Sequence, residues 1–305
     1  MRWYRFLMLS IMSLFWTDGL NAAEPSAEPT IVWSNPPSGA LPTGVTHRTF
    51  SSAVARVDVG YCVYLPPGYE TDTTKRYPVI YILHGNGGNE TKNVSDGPLL
   101  AEGIRSGRWP AMILVFPNGG RSTMYHNSTD GRLPIETVFI SELIPHIDST
   151  YRTIAEAKGR CIEGFSMGGR GATHLAIKYP TLFCSLFCQA GNVPHILDDF
   201  DQGKLTPMLG KERANYEAND VYAMLNKNVD QIKKSMRIQV TCGKADPGHL
   251  ATIRDFHAAL IKLGIEHPYV EFDGLGHQKS KMIELMQPAW FDFHTESLRH
   301  FGAIK

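Results

Sequence analysis

Cys161-Ile162-Glu163-Gly164-Phe165-Ser166-Met167-Gly168-Gly169 decides how the rest of this chain is read. Cys161-Ile162-Glu163 can close a strand, and Gly169 to Lys178 reads as a helix. Between them, Gly164 to Gly168 fits G-x-S-x-G, a strand-to-helix corner that lifts a serine hydroxyl to where a substrate can reach it. A Cβ two residues to either side of the serine would collide with its neighbours, so the corner needs glycine there. Glycine and serine are common, however, and the five residues alone fit an ordinary glycine-rich turn equally well. The flanking elements and the partners downstream decide between the two.

Short apolar runs recur on both sides of this corner. Val57 to Leu65 is rich in β-branched and aromatic residues and stops at Pro66-Pro67-Gly68, the pattern of a strand followed by a turn. Val79 to Leu83, Met112 to Phe116, Ile238 to Cys242 and Tyr269 to Phe272 are continuous apolar runs, which suit strands buried on both faces. Helical stripes lie between them: Val138, Phe139, Leu143 and Ile147 within Ile135 to Asp148, and Ile253, Phe256, Leu260 and Leu263 within Leu250 to Leu263. Ser280 to Phe301 reads largely as helix with a kink or break at Pro288. The alternation predicts an α/β fold, a mainly parallel central sheet with helices on both faces. Ligands in such sheets bind beyond the carboxyl ends of the strands. Gly191 to Met236, the longest stretch between core strands, mixes charges with Gly203, Pro207 and Gly210. It is expected to form a small cap, and it lacks the exposed apolar character of a lid that opens onto lipid.

The chain has 305 residues, 43% of them hydrophobic, enough for a large core. Its 30 basic and 30 acidic residues cancel, which leaves no basic field for nucleic acid and no charged interaction tail. Arg2 and Arg5 precede an apolar run from Phe6 to Trp16, followed by Ala22 and Ala23. Residues 1–23 therefore read as a secretory signal peptide, with an uncleaved anchor as the alternative. The expected product is secreted or periplasmic, with no membrane contact after cleavage, since no later segment approaches a transmembrane length. Residues 24–45 are Pro-rich and suit a linker or surface strap, and residues 46–305 form one domain. Five cysteines leave at least one thiol unpaired within the chain. Zinc-ligand spacing is absent, and free buried thiols are favoured over a disulfide framework.

A serine hydroxyl becomes a useful nucleophile only when a base takes its proton. Histidine suits that task near neutral pH, and a carboxylate fixes its tautomer. In this kind of sheet the chain order is serine, acid, histidine. Asp246 lies just past the Ile238 to Cys242 run, and His277 just past the Tyr269 to Phe272 run. Asp198 and Asp199 are alternative acids, while Asp273 lies too close to His277. His249 and His257, eight residues apart on a predicted helix, do not share a face well enough to bind a metal, and they read as a solvated helix surface. No metal or organic cofactor is expected. The negative oxygen of a tetrahedral intermediate needs backbone donors. One is the N–H of Met167, and the second is assigned to Asn86 in His84-Gly85-Asn86-Gly87-Gly88, with the neighbouring glycines as alternatives. His84 is expected to brace this loop, and no Gly-Lys-Ser/Thr follows to make it a phosphate cradle. The loop from Gly119 to Asn127 carries Tyr125, His126 and Asn127. These are candidate substrate-binding residues, with a plain surface loop as the other reading. Glu136 is expected to brace that loop or cap its helix. Asn89, Asn93 and Asn127 match N-x-Ser/Thr by chance on this reading.

As a set, Tyr77 to Gly85, Phe116 to Gly119, Glu136 with Leu143 to Asp148, Glu163 to Gly169, Gly243 to Asp246 and Gly276-His277 resemble the α/β-hydrolase superfamily. Within it the chain is similar to the esterase family that includes feruloyl esterases, acetylxylan esterases, enterochelin esterase and S-formylglutathione hydrolase. The resemblance covers roughly Arg56 to Phe301. It implies Ser166 as nucleophile, His277 as base, Asp246 as acid, and Asn86 and Met167 as oxyanion donors. The expected partner is a small-molecule or polysaccharide-linked ester, with a sugar-linked or phenolic group and a short or aromatic acyl. An acyltransferase or a peptidase on the same residues is the enzymatic alternative. A carbohydrate-binding protein that kept the fold is the non-enzymatic one.

Overall fold

Buried runs of apolar residues pair into one sheet in the computed structural model, which describes residues 31–305. The signal-peptide reading of residues 1–23 lies outside the described residues, as do residues 24–30. Eight strands follow the order β1-β2-β4-β3-β5-β6-β7-β8. They are β1 (Val45–Ser52), β2 (Val57–Tyr64), β3 (Val79–Leu83), β4 (Ile113–Pro117), β5 (Arg160–Phe165), β6 (Ser185–Gln189), β7 (Arg237–Gly243) and β8 (Tyr269–Phe272). β2 runs antiparallel to both its neighbours, β1 and β4, and β3 to β8 run parallel to one another. β3, β4 and β6 are buried along their whole length, because helices cover both faces of a parallel sheet.

Helices come between the strands, several of them where the periodicity predicts. α1 (Asp96–Arg105) follows β3, and α2 (Ile135–Thr137) and α3 (Ile144–Thr150) follow β4. One wide π turn, Val138–Leu143, joins α2 to α3. The predicted stripe Val138, Phe139, Leu143 and Ile147 is buried. α4 (Met167–Lys178) packs on β3, β5 and β6. The segment after β6 forms α5 (Ile196–Asp201), α6 (Thr206–Leu209), α7 (Arg213–Glu217) and α8 (Val221–Ser235), the last lying on α4. α9 (Leu250–Lys262) covers β7. α10 (Lys279–Met286) and α11 (Asp292–His300) are separated at Pro288, where the sequence reading places a break. The described part of the Pro-rich segment lies along the surface as a strap. The Gly60 N–H donates to Trp33 O, Asn118 donates to Val32 O, and Asn35 donates to the buried Glu90 carboxylate.

The sheet order places the site. From β3 the chain moves out to β4 on one side, then returns to β5 on the other. A crevice opens at the carboxyl ends of strands where the order reverses in this way. The loops after β3 and β5 carry His84 to Asn86 and Ser166.

Candidate active site

The nucleophile corner is as tight as the sequence demands. Ser166 has φ 61° and ψ −125°, a backbone region where an ordinary side chain is strained. A Cβ on Gly164 would lie 2.3 Å from the Gly168 carbonyl carbon, and one on Gly168 would lie 2.2 Å from Leu83 O. Ser166 sits at the N-cap of α4, where a serine ordinarily bonds back to the helix. Its hydroxyl makes no such cap bond. Instead Ser166 Oγ lies 2.8 Å from His277 Nε2.

His277 Nδ1 donates to Asp246 Oδ2 at 2.6 Å. An ionised carboxylate can only accept, so Nδ1 carries the proton and Nε2 presents its lone pair to the serine. Asp246 is buried in the turn after β7, and His277 is exposed in the turn after β8. The structure thus joins Ser166, His277 and Asp246 in one line of hydrogen bonds. Asp198 is exposed, and Asp199 is buried against Arg170 at 2.5 Å. Asp273 is exposed and pairs with Lys244.

The two residues whose N–H groups are assigned to a developing oxyanion line the same cleft as Ser166. Met167 opens α4, where the first N–H groups have no partner within the helix. The helix dipole adds positive potential at the same point. Asn86 follows β3 in the neighbouring loop, and both residues line the cleft. Among the described residues, no hydrogen bond occupies either N–H outside regular structure. His84 braces this loop from below. Gly119 N–H donates to its Nε2 at 3.0 Å, and its Nδ1 donates to Gly85 O at 2.9 Å. Burial pushes the His84 imidazole down to about 4, which keeps it neutral and unsuited to the role of base.

The family model described as "Putative esterase" matches residues 52–279. The chain belongs to this esterase family. A Mycobacterium tuberculosis esterase is 35% identical over 145 residues, which cover 47% of this chain and 31% of that protein. An endo-1,4-beta-xylanase/feruloyl esterase of Xylanibacter ruminicola is 34% identical over 130 residues, 40% of this chain and 18% of that protein. The chain thus spans a third or less of the length of these curated relatives. A solved ferulic acid esterase superposes with a TM-score of 0.70 at 26% identity, covering 83% of this chain and 98% of that one. An S-formylglutathione hydrolase from Agrobacterium tumefaciens shares the fold, with a TM-score of 0.67 at 21% identity over 88% and 99% of the two chains. The fold is that of the α/β-hydrolases.

In this esterase-family chain the cleft has a volume of about 750 Å³ and opens onto Ser166. Its walls include the apolar Phe165, Met124 and Ile283 and the polar Lys92, Asn93 and Lys279. Tyr125, His126 and Asn127 are not on these walls, which corrects the sequence expectation. The Tyr125 ring fills a slot left by two glycines: a Cβ would meet it at 2.1 Å on Gly119 and at 2.3 Å on Gly171. Its hydroxyl donates to His84 O at 3.3 Å. His126 is buried against His174 of α4, ring centroids 4.1 Å apart. Asn127 donates to Thr137 Oγ1 and accepts from Thr137 N–H, and so holds α2. Glu136 is buried and braces α4, accepting from His174, Lys178 and Tyr179. Burial opposes its charge, but those donors outweigh it and bring the carboxyl down to about 2.

His249 is the site residue that sequence reasoning missed. It lies on the cleft wall, and its Nδ1 donates to Asp246 Oδ1 at 2.8 Å. His257 faces His267 instead, at 2.7 Å. The short spacing from Asp246 to His249, just before a helix, was the available signal. Among the described residues, two groups offer three side chains each that could ligate a metal: Asp246, His249 and His277, and buried His126, Glu136 and His174. In the first group the donor atoms already bond one another. In the second, Lys178 occupies the Glu136 carboxylate, which disfavours a second cation there. The five cysteines are free and buried. The Asn89, Asn93 and Asn127 side chains all bond within the chain.

Proposed function

We propose that this chain hydrolyses carboxylic esters through an acyl-enzyme on Ser166. The carrying observation is the continuous line from Ser166 Oγ to His277 Nε2 at 2.8 Å and from His277 Nδ1 to Asp246 at 2.6 Å. In this reading His277 takes the hydroxyl proton as Ser166 Oγ attacks the ester carbonyl. The carbonyl oxygen becomes an oxyanion held by the Met167 and Asn86 N–H groups, each worth about 2.7–4 kcal/mol in the transition state. The intermediate collapses, and the imidazolium of His277 protonates the departing alcohol. Water then repeats the attack on the acyl carbon and gives up its proton to His277. Its oxygen leaves with the acid, and Ser166 regains its hydrogen.

The substrate class we propose is a sugar-linked or phenolic ester with a short or aromatic acyl. The apolar lining residues Phe165, Met124 and Ile283 suit such an acyl, and the polar lining residues Lys92, Asn93 and Lys279 suit a hydroxylated alcohol. The feruloyl esterase in the name of the Xylanibacter relative is consistent with that class. Among the described residues no helix is long and apolar enough to cross a membrane. The N-terminal Arg2, Arg5 and Phe6 to Trp16 support our placing the protein outside the cytoplasm.

A fluorophosphonate probe is expected to label Ser166 and to leave Ser166→Ala unlabelled. Asp246→Asn is expected to lower kcat by about 10⁴-fold, while Asp199→Asn keeps most of the turnover of its folded fraction. A panel of feruloyl sugars, acetylated xylan and short aryl esters, with and without an acceptor alcohol, tests the substrate class. Absence of both labelling and turnover in the folded protein would overturn the hydrolase reading. Acyl transfer to the alcohol in preference to water would overturn the choice of hydrolase over transferase.

A further inference from the structure

Two imidazoles share one carboxylate at this site. His277 Nδ1 donates to Asp246 Oδ2 at 2.6 Å, and His249 Nδ1 donates to Asp246 Oδ1 at 2.8 Å. The two rings stack with centroids 4.0 Å apart and planes 9° apart. We propose that His249 is a positioning residue of the catalytic relay, holding the second oxygen of Asp246 and the plane of the His277 ring. This rests on the ester-hydrolase reading of the same site.

Each part of the geometry has a physical reason. A base–acid pair occupies one carboxylate oxygen. The other oxygen of a carboxylate exposed by only 3% needs its own donor or stays desolvated and unpaired. His249 supplies that donor. It sits at the N-cap of α9 but makes no side-chain cap bond, so the imidazole has no helix-capping duty. Thr252 Oγ1 ties the backbone in place, its single proton shared between His249 O and Asn192 Oδ1 at 3.0 Å each. A neutral ring in this position orients Asp246 without placing a fixed charge beside the imidazolium that forms on His277. A lysine or arginine would compete for the carboxylate and repel that imidazolium. Burial and the neighbouring His277 both hold the His249 imidazole below the ordinary histidine range, against the opposing bond to Asp246.

The test separates the donor from the ring. His249→Ala removes both, His249→Phe keeps a ring to stack, and His249→Asn keeps an amide donor close to where Nδ1 lies. In the whole protein, with a short aryl ester, His249→Ala is expected to lower kcat about 10- to 100-fold, the scale of a misplaced catalytic group. KM should stay within about twofold. The low-field proton resonance of the His277–Asp246 bond is expected to shift or broaden, and His249→Asn should restore kcat to within a few-fold of wild type. An unchanged kcat and an unshifted resonance in His249→Ala would overturn the proposal. So would a loss confined to KM, or one that tracks the unfolded fraction and is not restored by asparagine. The resonance reports on the bond whether or not a substrate is known. A wild-type protein that shows it but neither turns over esters nor takes the probe overturns the hydrolase reading, and the His249→Ala spectrum still judges His249.

Discussion

At the residue scale, the conformation of Ser166 sets stability against chemistry. Its φ of 61° and ψ of −125° cost about 1–3 kcal/mol for a residue with a side chain. Glycine relieves that strain but gains freedom in the unfolded chain, which offsets about 0.4–1 kcal/mol. Ser166→Gly is therefore expected to be more stable than wild type by about 1 kcal/mol while losing fluorophosphonate labelling. Ser166→Ala keeps the Cβ and serves as the control for loss of the hydroxyl alone. Urea midpoints of the three proteins decide the matter, and a glycine variant no more stable than the alanine variant rules out stored strain. Ser166, Asp246 and His277 were legible because each follows a short run that reads as a strand, although β8, expected to be buried on both faces, is a partly exposed edge strand. Tyr125 was not legible. Its slot is made by Gly119 and by Gly171 on a helix far along the chain, and an inserted tyrosine and an exposed one read alike in a loop. His249 was read as a helix surface because its spacing from Asp246 does not by itself say that the carboxylate has a free oxygen.

At the element scale, β5 must be held rigid behind the serine it presents. Glu163 on β5 accepts from His294 Nε2 at 3.0 Å, and His294 Nδ1 lies 2.6 Å from Ser185 Oγ on β6. None of the three is exposed. This chain of bonds fastens α11 across two core strands, and no substrate can reach it. His294→Ala leaves the buried Glu163 side chain without that partner and is expected to cost about 3–5 kcal/mol. The turnover per folded molecule should stay close to wild type, measured as kcat against the folded fraction across a urea titration. A large fall in kcat with an unchanged urea midpoint would instead make His294 part of the chemistry. The continuous apolar runs, the stripe from Val138 to Ile147 and that of α9 were readable from period alone. β1 was not, because it is an edge strand whose exposed residues, among them Arg48 and Thr49, interrupt any apolar run. The π turn at Val138–Leu143 was equally hidden, since the stripe it carries is nearly that of an α-helix.

At the scale of the whole molecule, the strand order is a global property, and no local pattern contains it. The alternation of elements implies a parallel sheet, but the reversal at β3 that opens the crevice appears only when the strands are assembled. Assembly also buries histidines that a sequence shows only as residues. Burial holds His126 well below, and His174 below, the ordinary histidine value, and pushes His84 down to about 4. The unfolded chain takes up these protons near pH 6.5, and the folded chain resists them to lower pH. Below about 6.5 the unfolded state therefore binds more protons, so stability is full above that pH and falls as the pH drops toward the folded-state values. Each such histidine contributes up to about 1.4 kcal/mol per pH unit within its window. The stability from urea unfolding is expected to be flat above about pH 7 and to decline steadily toward pH 5. His126→Leu, which cannot take up that proton, is expected to reduce the slope between about pH 6.5 and 5 by roughly one histidine's share, whatever it does to stability at neutral pH. An unaltered slope in that variant would mean that His126 is protonated alike in both states. The loss of the His174 contact beneath α4 would then have to be sought in packing and not in charge.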